Sequence, residues 1–241
     1  MLWLVPVLLM VGLSPVPEDH ELLSAPDRRV RSADRRIGEL LATGMEYRYR
    51  DLPGIAVRWA DCRFAFWNCV TLTDVGADAE LVEQRLHEVA DLMRAKRRPG
   101  FLWLFEDLLT DDARAALGAA ADRAGLRHAF PGTGMAGDLL PLADPTHPDL
   151  TFVRVTTDDE LLAYADLNSR AYGFPLEDGR DGLAGSTLWK RDVHAYLGLR
   201  DGVPVTCAGA VEADGRLFVA LVATDPDCHR LGYGEAVTRK V

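Results

Sequence analysis

Apolar and polar positions alternate most legibly over residues 151–241. Residues 151–155 have strand length and a β-branched bias. Thr157-Asp158-Asp159-Glu160 is a capping box, with Thr157 as N-cap and Glu160 three positions on. The helix it opens carries Leu161, Leu162 and Ala165 and is predicted to run as far as Tyr172, before Gly173 and Pro175. A loop with Gly179, Gly182 and Gly185 is expected next, then a short segment around Trp189. Residues 196–199 and 205–211 read as paired strands around the hairpin signal Asp201-Gly202. A second signal, Asp214-Gly215, leads into the apolar run 217–224, which Asp225-Pro226 closes. The predicted order is strand, helix, second helical segment, three-strand meander, loop, helix.

The preceding half is also mixed. Residues 55–59 and 64–73 read as strands with a turn at Ala60-Asp61-Cys62, and Trp59, Phe64, Phe66 and Trp67 read as core. Residues 79–95 form a helix with Val82, Leu86, Val89 and Met93 on one face and Asp78 as N-cap. Residues 101–105 read as a buried strand. Thr110 caps a second helix with Asp111 and Asp112 in its first turn, and Gly125 ends it. Gly132-Thr133-Gly134 reads as a turn before a strand over 135–140. Residues 143–150, rich in Pro and Asp, read as a linker, and His147 within it reads as a solvated residue. The expected organisation is therefore an N-terminal segment 1–36, a smaller α/β domain 37–142, the linker, and a domain 151–241. The fold class is α/β, mixed α+β.

Residues 1–13 are apolar and uncharged but too short to span a bilayer. No Lys or Arg precedes them and no small-x-small site follows, which argues against export. A docked segment, or a start placed too far upstream, is expected instead. Arg28, Arg29, Arg31, Arg35 and Arg36 are interleaved with Asp27 and Asp34, as on a solvated linker.

The 241 residues carry a formal net charge of −10, which argues against a nucleic-acid partner held by its phosphates. Cys62, Cys69, Cys207 and Cys228 have no Cys-x-x-Cys spacing and no nearby His at zinc-ligand spacing. Reduced thiols, no metal and a cytoplasmic location are expected.

Candidate chemistry concentrates after the apolar run, in Asp225-Pro226-Asp227-Cys228-His229-Arg230-Leu231-Gly232-Tyr233-Gly234. Gly232 and Gly234 allow close backbone approach, and a helix start adds unpaired N–H groups. Such a loop suits a pyrophosphate, with Arg230 supplying a charge-assisted bond. A Walker A loop is excluded because Gly-Lys-Ser/Thr is missing, and a dinucleotide fingerprint because its third glycine position holds Val237.

His229-Arg230-Leu231-Gly232-Tyr233-Gly234, directly after a strand and Pro226, resembles the acetyl-CoA motif Gln/Arg-x-x-Gly-x-Gly/Ala of the GNAT superfamily of N-acetyltransferases. His229 in the first position is a departure from that motif. The resemblance covers residues 151–241 and implies a GNAT-like acyl-CoA N-acyltransferase domain. The first half looks more weakly like the degenerate N-terminal domain of two-domain members. The resemblance implies transfer of an acetyl group from acetyl-CoA to a primary amine of a small molecule or protein. It places pantetheine on the backbone of Val222, Ala223 and Thr224. The pyrophosphate falls on His229, Arg230, Leu231, Gly232, Tyr233 and Gly234. It sets Tyr172, Phe174 and Glu177 in the acceptor region. No catalytic acid or base is assigned; Glu212, Asp225 and Glu235 read as turn or helix-start carboxylates. An inactive acyl-CoA-binding or regulatory module is the alternative, and a simple α/β nucleotide-binding protein a third. GNAT domains continue with a further strand, helix and two strands beyond the position of Val241. The expectation is accordingly a fragment, or a domain completed by another chain. The open apolar edge of 217–224 would then favour self-association.

Overall fold

A computed structural model of the chain describes residues 48–129, 146–213 and 216–241. The expectations for residues 1–36, the Gly132–Gly134 turn, the strand over 135–140 and the Asp214-Gly215 turn lie outside the described residues. In the first half, strands β1 (Arg48–Leu52), β2 (Ile55–Trp59) and β3 (Asn68–Leu72) form an antiparallel meander. Helix α1 (Ala79–Arg94) then crosses over to β4 (Phe101–Trp103), which lies parallel to β3. Helix α2 (Asp111–Ala124) follows. The cap of α1 is as the sequence predicts: Asp78 Oδ1 accepts the Leu81 N–H at 2.9 Å, and Val82, Leu86, Val89 and Ala90 are buried. Gly125, at φ +76°, ends α2, but Thr110 donates its hydroxyl to the Ala77 carbonyl instead of capping the helix.

The second half builds another sheet, in the order β5 (Thr151–Arg154), β6 (His194–Arg200), β7 (Val203–Ala213), β8 (Arg216–Thr224), all antiparallel. Helices α3 (Asp158–Tyr172), α4 (Leu176–Leu183) and α5 (Thr187–Arg191) fill the β5–β6 connection, and α6 (Tyr233–Thr238) follows β8. Both parts of the capping box are made: Glu160 N–H donates to Thr157 Oγ1 at 3.2 Å, and Thr157 N–H donates to Glu160 Oε2 at 2.9 Å. The sheet is covered on both faces. Leu161, Ala165, Leu197, Cys207, Ala220 and Leu221 share one buried cluster, while Ala208, Val222 and Val237 share another on the side of α6. Among the described residues, β8 pairs only with β7 and stands at the sheet's edge.

Three expectations are corrected. The strand expected over 64–73 begins only at Asn68, because Ala65–Trp67 is a 3-10 turn. A strand would send Phe66 and Trp67 to opposite faces. The turn lets Phe64, Phe66 and Trp67 all enter one core. The strand expected over 101–105 stops at Trp103. Of the glycine-bearing loop, the part with Gly179 and Gly182 is in fact helix α4, whereas Gly185 lies beyond its end at φ +74°. Its glycines serve close approach: a Cβ on Gly179 would lie 2.3 Å from Ser169 Oγ, and one on Gly182 2.5 Å from Phe64 Cβ.

The Phe64–Trp67 turn joins the halves. Trp67 Nε1–H donates to the Gly182 carbonyl at 3.0 Å, and Arg63 N–H to Asp181 Oδ2 at 2.7 Å. Phe66 meets Tyr172 and Phe174 edge-on, each with ring centroids 5.4 Å apart. Trp67 packs on Trp189 at 6.3 Å. Burying a ring of this size contributes about 1.5–3 kcal/mol. Several such rings rival a whole domain's stability of about 5–15 kcal/mol. We therefore expect the halves to unfold in one cooperative transition. Gly182→Ala, forcing a methyl group against Phe64, should cost about 1–3 kcal/mol. Urea denaturation followed by tryptophan fluorescence and by circular dichroism checks this; two separate transitions would contradict it.

Candidate functional site

The apolar run of β8 is interrupted by a bulge. Cys207 faces Ala223 and Gly209 faces Ala220, so Leu221 and Val222 together oppose Ala208. Leu221 takes φ +50°, a left-handed backbone uncommon for a branched residue. The bulge breaks the alternation of the strand. Ala220 and Leu221, though adjacent, both enter the core shared with α3, and Val222 turns to the side of α6.

Helix α3 supplies the bulge with donors. Tyr164 donates its hydroxyl to the Leu221 carbonyl at 2.9 Å, and Tyr172 donates to the Val222 carbonyl. Burial pushes both hydroxyls well above the ordinary tyrosine range, so both stay protonated and donate. Asn168 Nδ2 ties the Tyr164 carbonyl at 3.0 Å to Cys207 Sγ at 3.3 Å. Burial likewise pushes the Cys207 thiol up, which makes it inert.

The loop after β8 is fixed by side chains from three places. Thr206 Oγ1 donates to the Ala223 carbonyl and lies 2.9 Å from Thr224 Oγ1. Asp225 accepts the Asp227 N–H at 3.1 Å and pairs with Arg170, at the end of α3, at 3.1 Å. His229 Nε2–H donates to the Thr224 carbonyl at 3.1 Å. His147, expected to be a solvated linker residue, instead holds the loop. Its Nε2–H donates to the Leu231 carbonyl at 2.9 Å, and its Nδ1 accepts the Asp149 N–H at 3.3 Å. Its ring stands edge-on to Tyr233 at 4.9 Å, and the Tyr233 hydroxyl donates to Asp149 at 3.3 Å.

The sequence-selected residues thus fall in one stretch with distinct placements. Val222 is in the bulge, and Ala223 and Thr224 end the strand. His229 folds back on Thr224, whereas Arg230, at φ +65°, is exposed. Leu231 is exposed and its carbonyl is held by His147. Gly232, at φ +81°, begins α6 in a backbone conformation that favours glycine. Gly234 packs on the strand end, since a Cβ there would lie 3.2 Å from Thr224 Oγ1. Tyr233 is 1 % exposed, so its side chain is occupied by packing. The first N–H groups of α6 have no intrahelical acceptor. Of the carboxylates, Asp225 is engaged by Arg170, Glu235 pairs with Arg239 at 2.8 Å, and Glu212 is exposed. Glu177 is exposed on α4, while Phe174 packs against Phe64 and Phe66. No metal-binding group of three or more His, Cys, Asp or Glu occurs among the described residues.

Sequence reasoning missed Leu221, Tyr164, Thr206 and His147. Tyr164 and Tyr172 are eight positions apart and fall within one helix face, the one available signal. Nothing local marks His147.

The chain matches no protein-family model, and comparison with curated proteins gives no match. Among solved structures it is similar to a GCN5-related N-acetyltransferase from Kribbella flavida, at 21% identity. The match covers 86% of this chain and 78% of that one, with a TM-score of 0.51. That likeness shows a GNAT-like mixed α/β fold, and the overlap extends well beyond residues 151–241.

His147→Ala removes two hydrogen bonds and an aromatic contact from the loop. Amide exchange over residues 229–234 should accelerate about tenfold, as expected for losing about 1–2 kcal/mol of local protection. Exchange in α1 should not change. Hydrogen-exchange mass spectrometry reads both, and an unaltered loop would show that His147 does not hold it.

Proposed function

We propose that the chain is a GNAT-type N-acyltransferase that takes an acetyl group from acetyl-CoA to a primary amine of a small molecule or protein. The observation that carries this reading is a bulged strand, β8, running directly into the Gly232–Gly234 loop on an antiparallel sheet. The GNAT-like fold supports it. In the proposal, pantetheine lies along Val222, Ala223 and Thr224. The pyrophosphate meets backbone N–H groups between His229 and Gly234, with Arg230 as the exposed cation. The division at residues 143–150 into a smaller first domain and an acetyltransferase domain belongs to the same proposal.

The reaction is direct. The neutral amine attacks the thioester carbonyl carbon, a C–N bond forms, and the C–S bond breaks. The CoA thiolate then takes a proton, and the amine loses one. Catalysis rests on proximity and on backbone N–H groups that stabilise the carbonyl oxygen as it gains charge. No side chain is assigned as acid or base. A second reading, an acyl-CoA-binding module without turnover, is favoured by one observation. His229 stands where the GNAT motif has Gln or Arg, and its ring is turned back to Thr224. Among the described residues no helix is long and apolar enough to cross a membrane.

Isothermal titration should show acetyl-CoA and CoA binding without comparable binding of ATP. A thiol-release assay over a panel of amines separates enzyme from module. Gly232→Asp should weaken CoA binding at least ~10-fold, from left-handed strain of about 1–2 kcal/mol and a carboxylate facing the pyrophosphate. Unchanged affinity would remove the loop from the proposal. Arg230→Ala should weaken binding more than His229→Ala at pH 7.5, because the exposed guanidinium stays charged whereas the His229 ring already serves Thr224.

A further inference from the structure

Phe66 is the centre of an aromatic cluster that draws on both halves of the chain. Its ring is buried. Among the described residues, Phe64, Phe101, Tyr172 and Phe174 stand around it, each with ring centroids 5.4 Å away. Phe64 is buried as well, whereas Phe101, Tyr172 and Phe174 are only partly buried. Phe101 comes from β4, beside Cys69 of β3. Tyr172 and Phe174 flank Gly173, whose left-handed backbone ends α3. Phe174 N–H donates back to the Ser169 carbonyl at 2.8 Å, and this turn brings the rings on either side of Gly173 onto Phe66.

A joint that served packing alone would close over such rings. Here Phe101, Tyr172 and Phe174 reach solvent, and Leu176, next along the chain, is 36 % exposed. A contiguous apolar surface of this kind marks a place of contact. It lies beside the strand on which the acyl group is proposed to sit. Tyr172 spans the interval: its hydroxyl donates to the Val222 carbonyl, and its ring meets Phe66 at an angle of 74°. The rings therefore begin one side chain away from Val222. The carboxylates of α4 and of the loop are placed otherwise. Asp181 accepts the Arg63 N–H, Asp225 pairs with Arg170, and Glu177 is exposed.

We propose that Phe101, Tyr172 and Phe174, with Phe66 beneath them, receive the side group of the acceptor, and that the acceptor is a small primary amine carried on an apolar group, aromatic or branched. Such a group gains by leaving water for these rings. The same surroundings disfavour the charge of an ammonium and so favour the neutral amine that attacks the thioester. Phe66 and Phe101 belong to the first half, so that half supplies part of the acceptor site. This inference rests on the acyl-CoA reading.

The test measures CoA release from acetyl-CoA with phenethylamine, isopentylamine, ethanolamine and putrescine. The wild-type chain should favour the first two over the last two by at least ~10-fold in kcat/KM, as expected for burying one apolar side group. Phe101→Ala removes a ring contributed by the first half. It should lower the preference for phenethylamine over ethanolamine about fivefold, through KM for the amine. A purely structural role would depress all the amines alike and leave the preference as it was. Phe174→Ala should act in the same way, and serves if Phe101→Ala does not fold. An unaltered preference in these variants would overturn the role of the rings. Wild-type turnover that is equal across the amines, or best with ethanolamine or putrescine, would overturn this inference alone. So would acetyl-CoA binding without CoA release on any of them. Failure of the wild-type chain to bind acetyl-CoA would overturn the acyl-CoA reading and this inference with it.

Discussion

Leu221 is held at φ +50° inside a strand, and the candidate site depends on that one constraint. A left-handed residue with a side chain costs about 1–2 kcal/mol and persists only where its surroundings outweigh the strain. Here they do so in two ways. The Leu221 side chain is fully buried, and its carbonyl accepts from Tyr164. The bulge then turns Ala220 and Leu221 to one face and Val222 to the other, and it brings the Val222 carbonyl to Tyr172. Each of these consequences follows from adding one residue to β8 opposite Ala208.

The first half of the chain bears on that site through a short aromatic contact. Phe64, Phe66 and Trp67 leave the first sheet on a single 3-10 turn and enter the core beneath α3, α4 and α5. The turn is what makes this possible, since the successive residues Phe66 and Trp67 could not leave one face of a strand together. Gly182 lets α4 approach Phe64 closely enough for Trp67 to reach the Gly182 carbonyl. A sheet distant in sequence thereby sets the ring that caps the Val222 carbonyl.

The loop after β8 is held by side chains as well as by its glycines. Asp225, His229 and His147 each satisfy a backbone group, and Arg170 ties the loop to the end of α3. Gly232 contributes its left-handed backbone, and Gly234 a close contact with Thr224.

The sequence alone determined the order of the strands and of helices α3 and α6 in residues 151–213 and 216–241, because caps, hairpin signals and apolar runs are local. The Thr157 capping box, the Asp78 cap and the Gly125 stop are each legible within a few residues. So was the loop from His229 to Gly234, by its glycine spacing. Tertiary structure decided what local pattern leaves open. A strand buried on both faces has no polar alternation to mark a missed register, so 217–224 gave no sign of the bulge. The glycines of α4 read as loop residues because only their neighbours, Ser169 and Phe64, show that they serve close packing. His147 read as solvated because its partners, Leu231 and Tyr233, lie more than eighty positions away. Spacing along the chain carries information about backbone propensity. The site is made by contacts between distant segments, and only the folded chain brings those together.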